Sequence, residues 1–110
     1  MDHQPGEVWL ADLGLAAKTR PVIIVSRRDP NAPRALVLYV PLTTQDRQSR
    51  YEVSLPRLGF LDRDSVANVQ GLGSIPIARL ERKLGRIPNE IMSKVQSALA
   101  WALDLETPAN

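Results

Sequence analysis

Residues 15–26 read LAAKTRPVIIVS, and the second half of that stretch decides the fold. Val22, Ile23, Ile24 and Val25 are all β-branched and follow one another without a polar break. A run this short is a strand, and its near-continuous apolar character predicts burial on both faces. Pro21 is acceptable at its start, because the missing N–H falls at the strand's first residue. A buried strand does not account for Lys18, Thr19 and Arg20, two cations and a hydroxyl crowded at its mouth.

Upstream, EVWLADL (7–13) alternates, with Val8 and Leu10 on one side and Trp9, Ala11 and Leu13 on the other; Gly14 ends it. Downstream, RRDPNAPR (27–34) is a turn built on Asp29-Pro30-Asn31 and Pro33. ALVLYVPLT (35–43) is a third strand, and Pro41 implies either an edge or a departure from the ladder. After the polar loop TQDRQSR (44–50), YEVSLP (51–56) sets Tyr51, Val53 and Leu55 against Glu52 and Ser54. DSVANVQ (64–70) is a fifth strand ending at Gly71 and Gly73, and ERKLGRI (81–87) a sixth. Gly71-Leu72-Gly73 lacks the third glycine and the helix of a dinucleotide-binding turn, so it reads as a simple turn.

The period then changes. Ile91, Val95, Ala98, Leu99 and Ala102 recur at helical spacing, which predicts a helix from Pro88 to about Leu105 with Pro88 as its start and Asn89 as its cap. Residues 106–110 should fray. Five or six short strands, tight turns and one closing helix give a mostly β chain with a C-terminal α-helix: a small, mostly antiparallel barrel or curled sheet. Trp9 and Trp101 read as core or subunit-contact residues rather than base-stacking platforms.

The 110 residues fit one domain spanning 1–110, and 44% hydrophobic content supports a core. There is no cysteine, which fits a reducing cytoplasm. His3 is the only histidine, so a three-histidine zinc site and a Ser-His-Asp triad are excluded as expectations, and no metal or cofactor is implied. No apolar stretch approaches membrane-spanning length, so a soluble, unexported protein is expected. Net charge is only +2, which does not establish a nucleic-acid partner. Arginines outnumber lysines eleven to three, however, and the arginine fork suits phosphate.

Polar groups gather where strands should end. Lys18, Thr19 and Arg20 precede the second strand; Thr43, Thr44 and Gln45 follow the third; Asn68 and Gln70 share a face at the end of the fifth. If the second and third strands pair antiparallel, Arg20 and Thr43 are neighbours at one rim. An arginine beside a hydroxyl can hold a phosphate and stabilise charge developing on it. RNA brings its own nucleophile, the 2′-hydroxyl, so no protein nucleophile is needed. Asp62 and Asp64, flanking Arg63, read as a solvated turn ahead of a metal or acid–base pair.

The pieces GEVWLADL, TRPVIIVS, VPLTT, YEVSLP, LDRDSVANVQ and ARLERKLGRIPNEIM, in that order and over nearly the whole chain, resemble the MazF/PemK toxins of type II toxin–antitoxin pairs. The resemblance implies an SH3-like barrel of the CcdB/MazF type that forms a homodimer. It implies a metal-independent endoribonuclease that cuts single-stranded RNA, mainly mRNA, by 2′-OH attack, leaving a 2′,3′-cyclic phosphate and a 5′-OH. The family's catalytic arginine and threonine fall on Arg20 and Thr43; Lys18 becomes a phosphate-steering neighbour, and Thr19, Thr44, Gln45, Asn68 and Gln70 fall along the RNA path. The implied partners are RNA and a MazE-like antitoxin with an acidic, disordered segment, and no membrane.

Two departures bear on the chemistry. The loop GLAAKT (14–19) is shorter than the family's first loop. The arginine and aspartate that PemK-like members carry in the fifth strand are replaced by Ala67 and Val69, so that acid–base pair is absent. Beside the nuclease stand two alternatives: a CcdB-like toxin that grips DNA gyrase without cutting RNA, and an inactive barrel that only binds an antitoxin.

Overall fold

A computed structural model describes residues 3–14 and 19–105 of the chain. Among them run β1 (Glu7–Asp12), β2 (Thr19–Ile24), β3 (Leu36–Thr43), β4 (Glu52–Ser54), β5 (Val66–Asn68), β6 (Gly73–Pro76), β7 (Leu80–Arg86) and α1 (Asn89–Ala102). All strand pairings are antiparallel. Strands β6, β3, β2, β1 and β7 are neighbours in that order, yet a single 3-10 turn, Ile77–Arg79, joins β6 to β7. Laid flat, four gaps of about 4.8 Å would part these two strands by roughly 19 Å. The chain from Pro76 to Leu80 reaches only about 14 Å when extended. The sheet therefore curls into a barrel.

Strand β3 changes partner along its length. It pairs with β6 through Leu36–Tyr39 residues and with β5 at Leu42 and Thr43. On its other edge, Val25 N donates to Leu38 O and Leu38 N donates to Ser26 Oγ, so Leu38 faces β2. By alternation the nitrogen of Pro41 faces the opposite edge, at the junction where β6 has ended and β5 has not begun. Its missing N–H leaves no ladder bond unmade. Of the two expectations for Pro41, the departure from the ladder is the observed one.

Both faces of β2 are buried, as its sequence predicts. Val22 and Ile24 join Ala11, Val37 and Ile75 in one apolar cluster, with Leu80 against it; these side chains come from all five curled strands and fill the barrel. Ile23 points the other way, into a second cluster with Val8, Val40, Leu42, Ala67 and Ile87 beneath Ile91, Met92 and Val95 of α1.

Three local expectations change. Residues 73–76 form β6, a strand that the sequence, read as a turn at Gly71-Leu72-Gly73, does not announce; four residues with glycine first and proline last are too few to show a period. Val69–Gly71 leaves the strand as a 3-10 turn, so Asn68 and Gln70 do not share a strand face. Asn89 is the first helical residue, and Pro88, whose backbone is extended, takes the cap position without any side-chain hydrogen bond.

The two tryptophans part company. Trp9 is half-buried and its Nε1 donates to Glu7 Oε1 at 3.0 Å, while Lys83 Nζ lies 3.3 Å from Glu7 Oε2. Burial pushes the Glu7 carboxyl up, but bonds from Trp9, Gln4 and Lys83 outweigh it and hold its pKa below the ordinary value. Trp101 is not core: it is 39% exposed, with the Arg50 guanidinium 4.2 Å above its ring and the Tyr51 ring tilted against it at 4.8 Å.

Candidate phosphate site

The register of β2 on β3 pairs Val22 with Pro41, and two more residues along each strand set Arg20 opposite Thr43. Strand β5 approaches Thr43 from the other side, pairing it with Val66. The three strands enclose an open groove of about 440 Å³, lined by Arg20, Thr43, Thr44, Gln45 and Ser65 over Pro21, Pro41 and Leu42. The Arg20 side chain is exposed and has no hydrogen bond or ion pair among the described residues. Thr43 Oγ1 accepts from Gln45 N at 3.1 Å, which leaves its hydroxyl proton to be donated. A free guanidinium, a hydroxyl donor and no carboxylate in the wall make a receptor for an anion.

A second cavity of about 250 Å³ shares Thr43 and Gln45 with the first and adds Arg47, Ser49, Glu52, Asn68 and Gln70. Asn68 Oδ1 accepts from Gln70 N at 3.1 Å, so Asn68 offers its amide N–H groups to a ligand and is a poor proton acceptor. Glu52 was not singled out by sequence. Its Oε2 accepts from Arg47 N at 2.9 Å, and its Oε1 accepts from Ser49 N at 3.0 Å and Ser49 Oγ at 2.8 Å. The Arg47 and Ser49 amides and the Ser49 hydroxyl hold its pKa below the usual carboxylate value. Glu52 is thereby an ionised anchor for the loop after Thr43, and a weak base. Strand alternation places Glu52 away from the apolar row; no sequence pattern announces that the loop would wrap it.

A third cavity of about 590 Å³ shares Pro21, Thr44 and Ser65 with the first and adds Phe60, Asp62, Arg63, Arg82 and Lys83 among others. The three spaces join into one trough. Its walls hold five cations (Arg20, Arg47, Arg63, Arg82, Lys83) against two carboxylates (Glu52, Asp62), and Lys83 is answered by Glu7. A net charge of +2 is thus unevenly spread, with cations concentrated along this rim.

Of the other sequence candidates, Thr19 lines none of these cavities; its Oγ1 lies 3.5 Å from Glu81 Oε2, at the long limit of hydrogen bonding. Lys18 lies outside the described residues. Ala67 and Val69 are packed in the core under the helix, so β5 supplies no acid or base. Asp64 pairs with Arg57 at 3.3 Å, and among the described residues no three acidic, histidine or cysteine side chains are grouped to hold a metal. No described helix is long and apolar enough to cross a membrane.

A family model described as PemK-like, MazF-like toxin of type II toxin–antitoxin systems matches residues 4–103. The chain belongs to this toxin family. Endoribonuclease MazF4 of Mycobacterium tuberculosis is 36% identical over 107 residues, covering 94% of each chain. Endoribonuclease EndoA of Bacillus subtilis is 30% identical over 109 residues, covering 91% of this chain and 93% of its own. Among solved structures, a mycobacterial endoribonuclease in complex with its cognate antitoxin superposes with a TM-score of 0.82 at 30% identity, over 96% of this chain and 98% of its own. The barrel and terminal helix expected from the sequence are the architecture of the family, and relatives that are endoribonucleases do not favour the gyrase-binding alternative.

Proposed function

We propose that the chain is the toxin of a toxin–antitoxin pair and an endoribonuclease that cuts single-stranded RNA. The carrying observation is the unpartnered Arg20 beside the Thr43 hydroxyl at the centre of a cationic trough. Endoribonuclease relatives that match nearly end to end support the reading. In the reaction, the RNA 2′-oxygen attacks the adjacent phosphorus; the P–O2′ bond forms and the P–O5′ bond breaks. The 2′ proton passes to water, and the leaving 5′-oxygen takes one from water. Arg20 donates to the non-bridging oxygens as their charge grows, and Thr43 donates a hydrogen bond that positions the phosphate. Gln45, Thr44, Asn68 and Gln70 contact the strand to either side. With Glu52 held as a weak base and Asn68 a poor one, proton removal rests on solvent, which makes for a slow enzyme.

Purified protein incubated with a long RNA in EDTA tests this. Cleavage is expected to persist, since no ligand cluster is grouped in the described residues. The new 3′ ends should resist a phosphatase that removes only monoesters, because a cyclic phosphate has none. Intact RNA, or 3′ ends that the phosphatase opens at once, would count against the mechanism.

The partners follow from charge and exposed apolar surface. Leu36, Leu38, Trp101, Leu103 and Leu105 are exposed, on the part of β3 that α1 does not cover and at the end of α1. We propose that a second copy covers part of this surface in a twofold homodimer. An acidic antitoxin segment, disordered when free, would lie over Arg20 and its neighbours and compete with RNA. The pair would act in the cytoplasm. Light scattering should give a dimer at tens of micromolar, antitoxin titrated into that dimer should displace RNA, and the binding of each should weaken with salt. A monomer, or RNA bound undiminished to antitoxin-saturated toxin, removes the corresponding proposal.

A further inference from the structure

The third cavity of the trough does more than add charge. Phe60 is the only phenylalanine in the chain; it is half-buried, packed against the margin of the main core and lining the wall of this space. Its ring lies close against β7 at Gly85, where a Cβ would come within 2.4 Å of the ring. Glycine at that position is what lets an aromatic ring settle there. Leu10, Leu61 and Leu84 add to the apolar lining of the space, while Thr44 and Ser65 line it together with the Arg20–Thr43 groove. Asp62 also lines the space. Its neighbour Asp64 is spoken for by Arg57, and Arg57 reaches only the backbone oxygen of Asp62, so the Asp62 carboxylate has no hydrogen bond or ion pair among the described residues.

We infer that this cavity binds the base of a nucleotide flanking the cut phosphate, with Phe60 as its stacking platform and Asp62 as acceptor for an exocyclic amino N–H on the base edge. The inference rests on the endoribonuclease reading and extends it to sequence preference. Three observations carry it together. The cavity adjoins the phosphate groove, with Pro21, Thr44 and Ser65 lining both. It combines an apolar aromatic wall, which suits the face of any base, with polar groups at the edge. Arg82 and Arg63 on its rim answer the next phosphate. An unpaired carboxylate accepts from cytosine, adenine or guanine, which carry exocyclic amino groups, and repels the carbonyl-rich edge of uracil.

The test compares parent, Phe60→Leu and Asp62→Ala on a long RNA, with cut sites mapped by sequencing, and measures binding of an oligonucleotide carrying 2′-deoxyribose at the cut nucleotide. Phe60→Leu keeps apolar bulk on β7 but loses the ring; KM and the oligonucleotide Kd should each rise by roughly tenfold, within the range that loss of base–aromatic stacking gives. Asp62→Ala, on an exposed turn, should fold as the parent does and relax the bias against uracil at one position next to the cut. An active parent whose cut profile, KM and Kd are unchanged in both variants overturns the subsite while leaving the nuclease intact. A selective loss of antitoxin affinity in the same variants would mark the cavity as a protein-docking site, and would overturn it equally. Should the parent not cut RNA, the nuclease reading fails separately, and the oligonucleotide Kd still decides the subsite.

Discussion

Arg20→Ala is expected to fold as the parent does and to cut RNA about a hundredfold to a thousandfold more slowly. The side chain is exposed and makes no hydrogen bond or ion pair among the described residues, so its removal takes nothing from the core. Stability should change by about half a kcal/mol or less. The rate loss follows from position: a fixed cation beside a phosphate whose charge grows in the transition state is the kind of donor whose deletion costs two to three orders of magnitude. Arg20→Lys should recover only part of that loss, because a point charge lacks the guanidinium fork. Thr43→Val should cost less, since it removes one neutral donor. It also removes the acceptor of the Gln45 N–H, so Thr43→Ser, which keeps both functions, is the control that separates positioning from turn geometry. Single-turnover cleavage and thermal unfolding of the same preparations check the set. Parental cleavage by folded Arg20→Ala would end the assignment of the site and restore the non-nuclease alternatives.

The contrast between Arg20 and its neighbours explains what the sequence made legible. Adjacent β-branched residues at Val22–Val25 announced a strand buried on both faces, and that one strand orders the barrel, because β1 and β3 pair along its two edges. Antiparallel pairing of consecutive strands then carried Arg20 to Thr43 with no further information. What stayed hidden was set by contacts distant in sequence. β6 exists because β3 offers it an edge along Leu36–Tyr39 residues, not because four residues ending in proline have strand character. Glu52 reads as an ordinary outward glutamate until the loop at 47–49 folds back onto it. Phe60 sits in a segment without period, and only Gly85, twenty-five positions on, makes a place for its ring. Trp101 reads as a core or subunit-contact residue; the helix ends beside it and Arg50 covers its face, so within one subunit it is not core.

Ile23→Ala should have the largest effect on stability, through a route wholly separate from Arg20. Ile23 is fully buried between β1 and β3 and faces the cluster that α1 closes, alongside Val8, Val40 and Val95. Truncation removes the transfer energy of three carbons and leaves a cavity in a region hemmed by strands on both sides, where little can relax. The expected cost is about 2–5 kcal/mol, a large share of the roughly 5–15 kcal/mol that holds a domain of this size together. Denaturant unfolding should show a lower midpoint at unchanged slope. Ile23→Val, which deletes one methylene group, should cost about 0.5–1.5 kcal/mol. The folded fraction of Ile23→Ala should retain parental cleavage at low temperature, because Arg20 and Thr43 belong to the open rim of the same two strands and their register is fixed by the backbone pairs from Val22 to Ile24. A stability change below half a kcal/mol would mean that this face of β2 is not packed as described, and with it the position of α1 over the barrel would fall.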